Sequence, residues 1–461
     1  MRLISVFKNV LELKKIMRMD LSSIQRLQQH RFLRLVQFAK QRSPFYAKLY
    51  RDIDVDKDLG TEDLPTVNKK LLMDNYDDSL TVKGITKKQL IDFCASEKDR
   101  FKINNKYTVL HSGGSSGLLW LSLIDDRCFD YEIATIIENR IYDPMKYLFK
   151  KKKPRIASVS TENPHVGSSV FRKNIPDFLL NMRYFSVSRP IAEIVEGLND
   201  FKPDILGGYP SMIKELAEQK IKGALRISPQ KVFSGGALFS EDVRQSVIKA
   251  FSCTPFNGYY ATEATGPIAL ECEYHSLHVY LQALILEILD LDGRPVPVGQ
   301  PGKAIFTNLM NFTQPIIRYS LDDVIQMSPL KCRCGCSLPI ISKIWGRTGD
   351  MLWVKKPDNN YEIIEPILFN LKIPGLEKLQ VVQEDNDFLR IKIIAAAREK
   401  EVSNLVEKAI SKILDKKGLL GIVKIKVERV PEILSEPGTE KTLFKQHKMV
   451  ISKTGLVDER K

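Results

Sequence analysis

Side chains suited to chemistry fall in five stretches of this 461-residue chain, and residue type and spacing say what each could do. His111-Ser-Gly-Gly-Ser-Ser-Gly117 is a Ser/Gly loop. Gly113, Gly114 and Gly117 let backbone amides approach an anion, and Ser112, Ser115 and Ser116 add hydroxyl donors. Standing alone, such a run is more often a plain turn. Tyr259-Tyr-Ala-Thr-Glu263 ends in a carboxylate able to hold a hard cation shared with phosphate oxygens. Arg318-Tyr-Ser-Leu-Asp-Asp323 and Gly346-Arg-Thr-Gly-Asp350 each set an arginine near carboxylates. In isolation, Asp322 and Asp323 read as a loop turn and Arg318 as a core-edge ion pair. Cys332-Arg-Cys-Gly-Cys336 gathers three of the seven cysteines. With no leader peptide recognisable in Met1-Arg-Leu-Ile-Ser-Val-Phe-Lys8, that clustering favours metal over disulfides.

The order of these stretches adds what none carries alone. A phosphate-cradling loop, a metal carboxylate, a second carboxylate and an arginine ahead of a change of domain are the parts of a nucleotide-using ligase. On these motifs the chain resembles the adenylate-forming superfamily. Within it, the resemblance is to the branch of phenylacetate–CoA ligases, capsule-biosynthesis-type proteins and deazaflavin-coenzyme synthetases. The likeness runs from Ser43-Pro-Phe-Tyr46 to the tail.

The resemblance implies ATP and Mg²⁺ as cofactors, with Glu263 binding Mg²⁺, Thr262 contacting the α-phosphate and Tyr259 or Tyr260 stacking on adenine. Ser234, Gly235, Gly236 and Ala237 match the adenine-pocket turn, Asp323 the ribose carboxylate and Arg347 its partner before the hinge. Lys441, in Glu436-Pro-Gly-Thr-Glu-Lys441, is the counterpart of the catalytic tail lysine, with Lys445 and Lys448 as alternatives. Tyr209 and Pro210 flank the acyl pocket. His165 is a further pocket candidate, and for it, as for His111, a structural role is an equal reading. Cys272, His278, Cys332 and Cys334 form a Cys₃His set for structural Zn²⁺, with His275 and Cys336 as competing ligands. Two departures stand out: Leu118 follows the loop where relatives often carry lysine, and Gly349 takes a hinge position that is elsewhere acidic or lysine.

The activity so implied is ATP-dependent, AMP-forming activation of a small-molecule carboxylic acid, an aromatic one among the candidates. The acyl-adenylate would then pass its acyl group to coenzyme A. An amine, a carrier-protein thiol or a hydroxyl is the alternative acceptor. From a different class comes a non-catalytic, zinc-stabilised binding protein.

Composition bounds these readings. At 43% hydrophobic and 27% charged residues the chain is globular and long enough for two or more domains. No apolar run approaches the ~20 residues of a membrane span, so the expected location is cytoplasmic. Lys and Arg number 70 against 56 Asp and Glu, a formal net charge of +14. That excess lies thinly along the chain without interleaved aromatics, so it reads as solubility rather than nucleic-acid binding. Its sharpest cluster, Lys150–Lys153, reads as a solvated loop. A homodimer is one option for the assembly.

The elements that must position these groups follow from periodicity. Residues 1–50 show helical spacing that ends at Ser43-Pro44. From Tyr107 the pattern becomes strand–loop–helix alternation, with strands at Tyr107–Leu110, Arg155–Val159, Asp204–Leu206 and Lys231–Phe233. Expected helices are Asp130–Asn139, Ile191–Leu198, Ser211–Gln219 and one capped by Ser240. This predicts an α/β adenylation domain with mostly parallel sheets over residues 1–347, carrying a β-rich segment from Val279 to Phe306. A small, mobile α+β domain is expected over 348–461, with strands Leu389–Ala395 and Ile422–Val430 flanking a helix Glu399–Leu414.

Overall fold

The structure is a computed structural model describing residues 2–96, 100–112, 119–138, 153–174, 181–369, 371, 373–395, 399–431 and 433. The chain forms two compact units. The first comprises Met1–Glu287, Ala304–Leu321 and Gln326–Lys343; the second comprises Ile288–Lys303, Asp322–Ile325 and Ile344–Lys461.

The first unit opens with helices Leu3–Ile16, Leu21–Arg42 and Pro44–Leu49. Local chemistry sets their ends. Asp20 accepts the Ser23 amide at 2.8 Å, and Ser43 ends one helix while capping the next, whose first position is Pro44. Strands β1 (Lys102–Ile103), β2 (Tyr107–His111) and β3 (Leu121–Ile124) then form an antiparallel sheet. Here the expected strand–loop–helix reading is corrected. The Ser/Gly loop joins two strands of a hairpin, His111 pairing with Leu121, and the helix comes afterwards at Asp126–Ile137.

The main sheet holds eleven strands: β4 (Arg155–Ser160), β5 (Asn181–Ser186), β6 (Ile205–Gly208), β7 (Lys231–Gly235), β8 (Phe256–Tyr260), β9 (Pro267–Glu271), β10 (Leu277–Val279), β11 (Leu284–Leu289), β12 (Pro301–Asn308), β13 (Ile316–Met327) and β14 (Ile340–Arg347). Their order is β11-β12-β13-β14-β10-β9-β8-β7-β6-β4-β5. From β5 to β8 all pairings are parallel, with helices Gly167–Lys173, Ile191–Phe201, Pro210–Ile221 and Glu241–Phe251 in the connections. Ala157, Val159, Leu198, Leu206, Ile213, Val232 and Val247 fill the core between strands and helices. Beyond β8 the sheet turns antiparallel through β9 and β10.

In the second unit, β15 (Leu352–Lys355) and β16 (Tyr361–Ile364) form a hairpin. β17 (Leu376–Asp385), β18 (Phe388–Ala395) and β19 (Lys424–Arg429) form a three-stranded sheet. Helix Glu399–Lys416 connects the parallel pair β18 and β19. Val406 and Ile410 pack with Leu389, Ile391, Val354 and Ile364 in one core. Strand β17 was not among the expected elements. Gly349 does not sit in glycine-only backbone; it lies in the 3₁₀ turn Thr348–Asp350, and Gly346, with φ of 129°, is the residue that needs to be glycine.

Candidate functional site

The stem of the Ser/Gly loop is closed by two bonds. The Ser112 amide donates to the Trp120 carbonyl at 3.1 Å, and the Trp120 amide donates to Ser112 Oγ at 3.2 Å. Gly113, Gly114, Ser115, Ser116 and Gly117 lie outside the described residues. Trp120 is fully buried, and its indole N–H donates to Ser122 Oγ at 2.7 Å. The Ser122 hydroxyl in turn donates to the Thr262 carbonyl at 2.9 Å. The loop stem is thereby tied to the Thr262-Glu263 turn, 140 residues away.

That turn is fixed from several sides. The Ala264 and Thr265 amides bond back to Ala261 and Thr262, and Asn308 donates to the Ala264 carbonyl at 2.9 Å. The Glu263 carboxylate, half-buried, accepts the Tyr319 hydroxyl at 3.2 Å. The Tyr319 ring packs edge-on against Trp120 at 5.5 Å. Beneath the turn, buried Glu132 accepts the Thr265 hydroxyl at 3.3 Å. Burial pushes the Glu132 carboxyl up to about 8. Its carboxylate lies against Gly266, where any β-carbon would overlap it. The sequence alone does not single out Trp120, Ser122, Tyr319 and Glu132 as site residues; each reaches the site through contacts far apart in the chain.

The glycine turn Ser234-Gly-Gly-Ala237 leaves the end of β7 beside β8. Gly236 has φ of 81°, and a β-carbon there would stand 3.1 Å from the Tyr209 ring. Bare backbone at Gly235 and Gly258 makes room for the Tyr260 ring. Tyr260 is 45% exposed whereas Tyr259 is buried, so Tyr260 is the tyrosine with a ring face to offer a flat base. Ser234 pairs in register with Asn257, and Ser234 Oγ and Asn257 Oδ1 are both buried without a hydrogen-bond partner. Two orphaned polar atoms beside a flat glycine surface suit a heteroaromatic ligand with its own donors and acceptors. Asn257 is a further residue the sequence reading missed.

Tyr209 caps helix Pro210–Ile221, with Pro210 buried at its first position. His165 is 1% exposed. Its carbonyl accepts the His111 amide at 2.8 Å, and its ring lies 6.1 Å from that of His111 and 5.4 Å from Phe93. Arg318 is a buried structural residue, donating to both Glu287 carboxylate oxygens at 2.8 and 3.2 Å and to the Leu64 carbonyl. In the second unit, Arg347 pairs with Asp323 at 3.3 Å. Lys441, Lys445 and Lys448 lie outside the described residues.

A separate cluster gathers Cys272, His278, Cys332 and Cys334, with donor atoms all within 4.8 Å of one another. Cys272 Sγ lies 3.5 Å from Cys332 Sγ, and Cys334 Sγ lies 3.3 Å from His278 Nε2. Tetrahedral ligands at metal–ligand distances of roughly 2.0–2.3 Å stand about 3.5–3.8 Å apart, so the spacing fits one shared ion. His278 Nδ1 lies 3.0 Å from the Leu338 carbonyl, a bond that orients Nε2 toward the thiols. The competing candidates stand elsewhere. His275 bonds Glu271 at 3.2 Å and stacks on Phe256, and Cys336 accepts the Leu338 amide at 3.5 Å.

No family model matches the chain. It is 26% identical over 345 residues to the phenylacetate-coenzyme A ligase of Thermus thermophilus, covering 71% of each protein. To Protein CapK of Staphylococcus aureus it is 21% identical over 405 residues, covering 83% of this chain and 80% of that one. Among solved structures, an open conformation of 2-hydroxyisobutyryl-CoA ligase in complex with 2-HIB-AMP and CoA matches with a TM-score of 0.67. Identity there is 17%, over 93% of both chains. The postadenylation state of that ligase in complex with R3-HIB-AMP gives 0.58, over 94% of this chain and 92% of that one. In sequence the chain is thus similar to curated phenylacetate-coenzyme A ligases and to CapK, and in fold to 2-hydroxyisobutyryl-CoA ligase.

Proposed function

We propose that this protein joins a carboxylic acid to ATP, releasing pyrophosphate, and passes the acyl group from the adenylate to coenzyme A. A carboxylate oxygen attacks the α-phosphorus as the bond to the β-phosphate bridging oxygen breaks. A thiol then attacks the acyl carbonyl, and AMP leaves. The observation that carries this reading is the relay from the loop stem through Trp120 and Ser122 to Thr262, with Tyr319 holding Glu263. It couples the position of a phosphate loop to that of a carboxylate, which charge neutralisation at the phosphates requires.

Mg²⁺ held by Glu263 would neutralise phosphate charge. Glu263 itself is aimed by Tyr319, and Thr262 is aimed through its own carbonyl. Tyr260, Ser234 and Asn257 suit the adenine. Tyr209 suits the acyl group. The Cys₃His cluster suits structural Zn²⁺, a thiolate site that fits a reducing, cytoplasmic setting. The sequence likeness to the phenylacetate-coenzyme A ligase of Thermus thermophilus supports coenzyme A as acceptor.

Leu118, in place of a loop lysine, is the feature that favours the second reading, a protein that keeps the fold and binds without reacting. Pyrophosphate release on mixing with ATP and a panel of carboxylic acids separates the two. Adding coenzyme A, then amines, identifies the acceptor through AMP formation. Absence of release with every acid of the panel, while ATP still binds, would favour the binding reading.

A further inference from the structure

Within the first unit, side chains from helices Leu3–Ile16, Leu21–Arg42 and Asp126–Ile137 and from segment 309–312 line a cleft of about 180 Å³. Its chemistry is lopsided. Arg31, Arg34 and Arg127 face it along with His30, against a single carboxylate, Glu12. With His30 neutral the lining therefore carries three positive charges and one negative. Glu12 is taken up by Arg31, whose other nitrogen donates to the Gln282 carbonyl.

Arg34 and Arg127 are held differently. Both guanidinium groups sit over the Phe312 ring, at 5.4 and 5.9 Å from its centroid. A cation–π contact aims a guanidinium without neutralising it or occupying its N–H donors. Among the described residues neither arginine pairs with a carboxylate. Tyr131 adds a second, independent sign. It is 2% exposed and lines the cleft, yet its hydroxyl has no hydrogen-bond partner. A buried hydroxyl left without a partner costs stability, so its retention calls for an explanation.

We propose that this cleft is a second anion site, separate from the adenylation residues, that takes a phosphate group. Arginine forks match the oxygens of phosphate, and the Tyr131 hydroxyl supplies one more donor. A cleft of this size admits a phosphate group. The occupant is free phosphate or the phosphate of an ester. The site does not rest on the ligase reading.

Titration calorimetry on the full chain tests it, with sodium phosphate, coenzyme A and dephospho-coenzyme A as probes. Binding of sodium phosphate points to the free ion. Binding of coenzyme A but not of dephospho-coenzyme A points to the ester. In either case Arg34→Gln/Arg127→Gln should weaken binding about tenfold or more, because two charge-assisted contacts are lost. Both arginines are exposed, so the fold should survive. Tyr131→Phe should weaken binding several-fold while keeping or raising the melting temperature, because it deletes only an unsatisfied hydroxyl. Phosphate bound at the adenylation residues would survive all three substitutions. No binding by any probe, or affinity unchanged in the double variant, would overturn the proposal.

Discussion

Glu263 and Glu132 lie at one turn in different surroundings. Glu263 is half-buried and accepts a phenolic hydroxyl. Among the described residues no cation pairs with Glu132, and burial holds its carboxyl near 8 against an ordinary 4.5. In the unfolded chain Glu132 loses its proton above about pH 4.5; in the folded chain it keeps it to about 8. Its stabilising contribution is thus whole below 4.5 and is lost as pH rises through 8. We expect the melting temperature to fall between pH 5 and 8. Glu132→Gln should flatten that profile, the difference reaching a few kcal/mol at ~1.4 kcal/mol per pH unit. Thermal unfolding across pH reads this, and equal slopes for both proteins would contradict it. Gly266→Ala should destabilise by about 1–3 kcal/mol, since a methyl group has no room against that carboxylate. Glu263→Gln should instead leave melting unchanged and cut pyrophosphate release by at least ~100-fold, through lost charge stabilisation.

At the scale of elements, the Cys₃His cluster binds together pieces of one sheet. Cys272 follows β9, His278 lies in β10, and Cys332 and Cys334 sit in the turn between β13 and β14. His278 pairs with Ile340 of β14. Four ligands from three segments mean that a metal bound there would stabilise the middle of this sheet, where β9, β10 and β14 adjoin. Cys334→Ser should lower bound zinc, measured by elemental analysis, and lower the melting temperature by several degrees. Protein that melts identically with and without metal would contradict a structural role.

The elements also show what a sequence makes legible. Ser43-Pro44 marks a boundary because a cap and a fixed φ act locally. The strands β4, β6 and β7 are readable because short apolar stretches such as Ile205-Leu206 and Val232-Phe233 alternate with helical patterns. Cys-x-Cys and Cys-x₅-His draw notice because few other roles explain them. The hairpin around the Ser/Gly loop is not readable, since the same loop can precede a helix or a strand. The pairing of Ser234 with Asn257, and the relay from Trp120 to Thr262, depend on sheet register and distant contacts that no local pattern encodes.

At the scale of the whole molecule, fold and chemistry are separate questions. The likeness to 2-hydroxyisobutyryl-CoA ligase extends over 93% of the chain, yet at 17% identity it speaks to fold alone. The reaction rests on the Thr262-Glu263 turn being held to the loop stem in a chain whose loop is followed by Leu118 rather than lysine. The most direct measurement is pyrophosphate release from ATP by the wild-type chain and Glu263→Gln, across a panel of carboxylic acids. The account predicts acid-dependent release by the wild type and its loss in the variant, with both proteins melting at the same temperature. Release that is independent of any acid, or that survives Glu263→Gln, would contradict it.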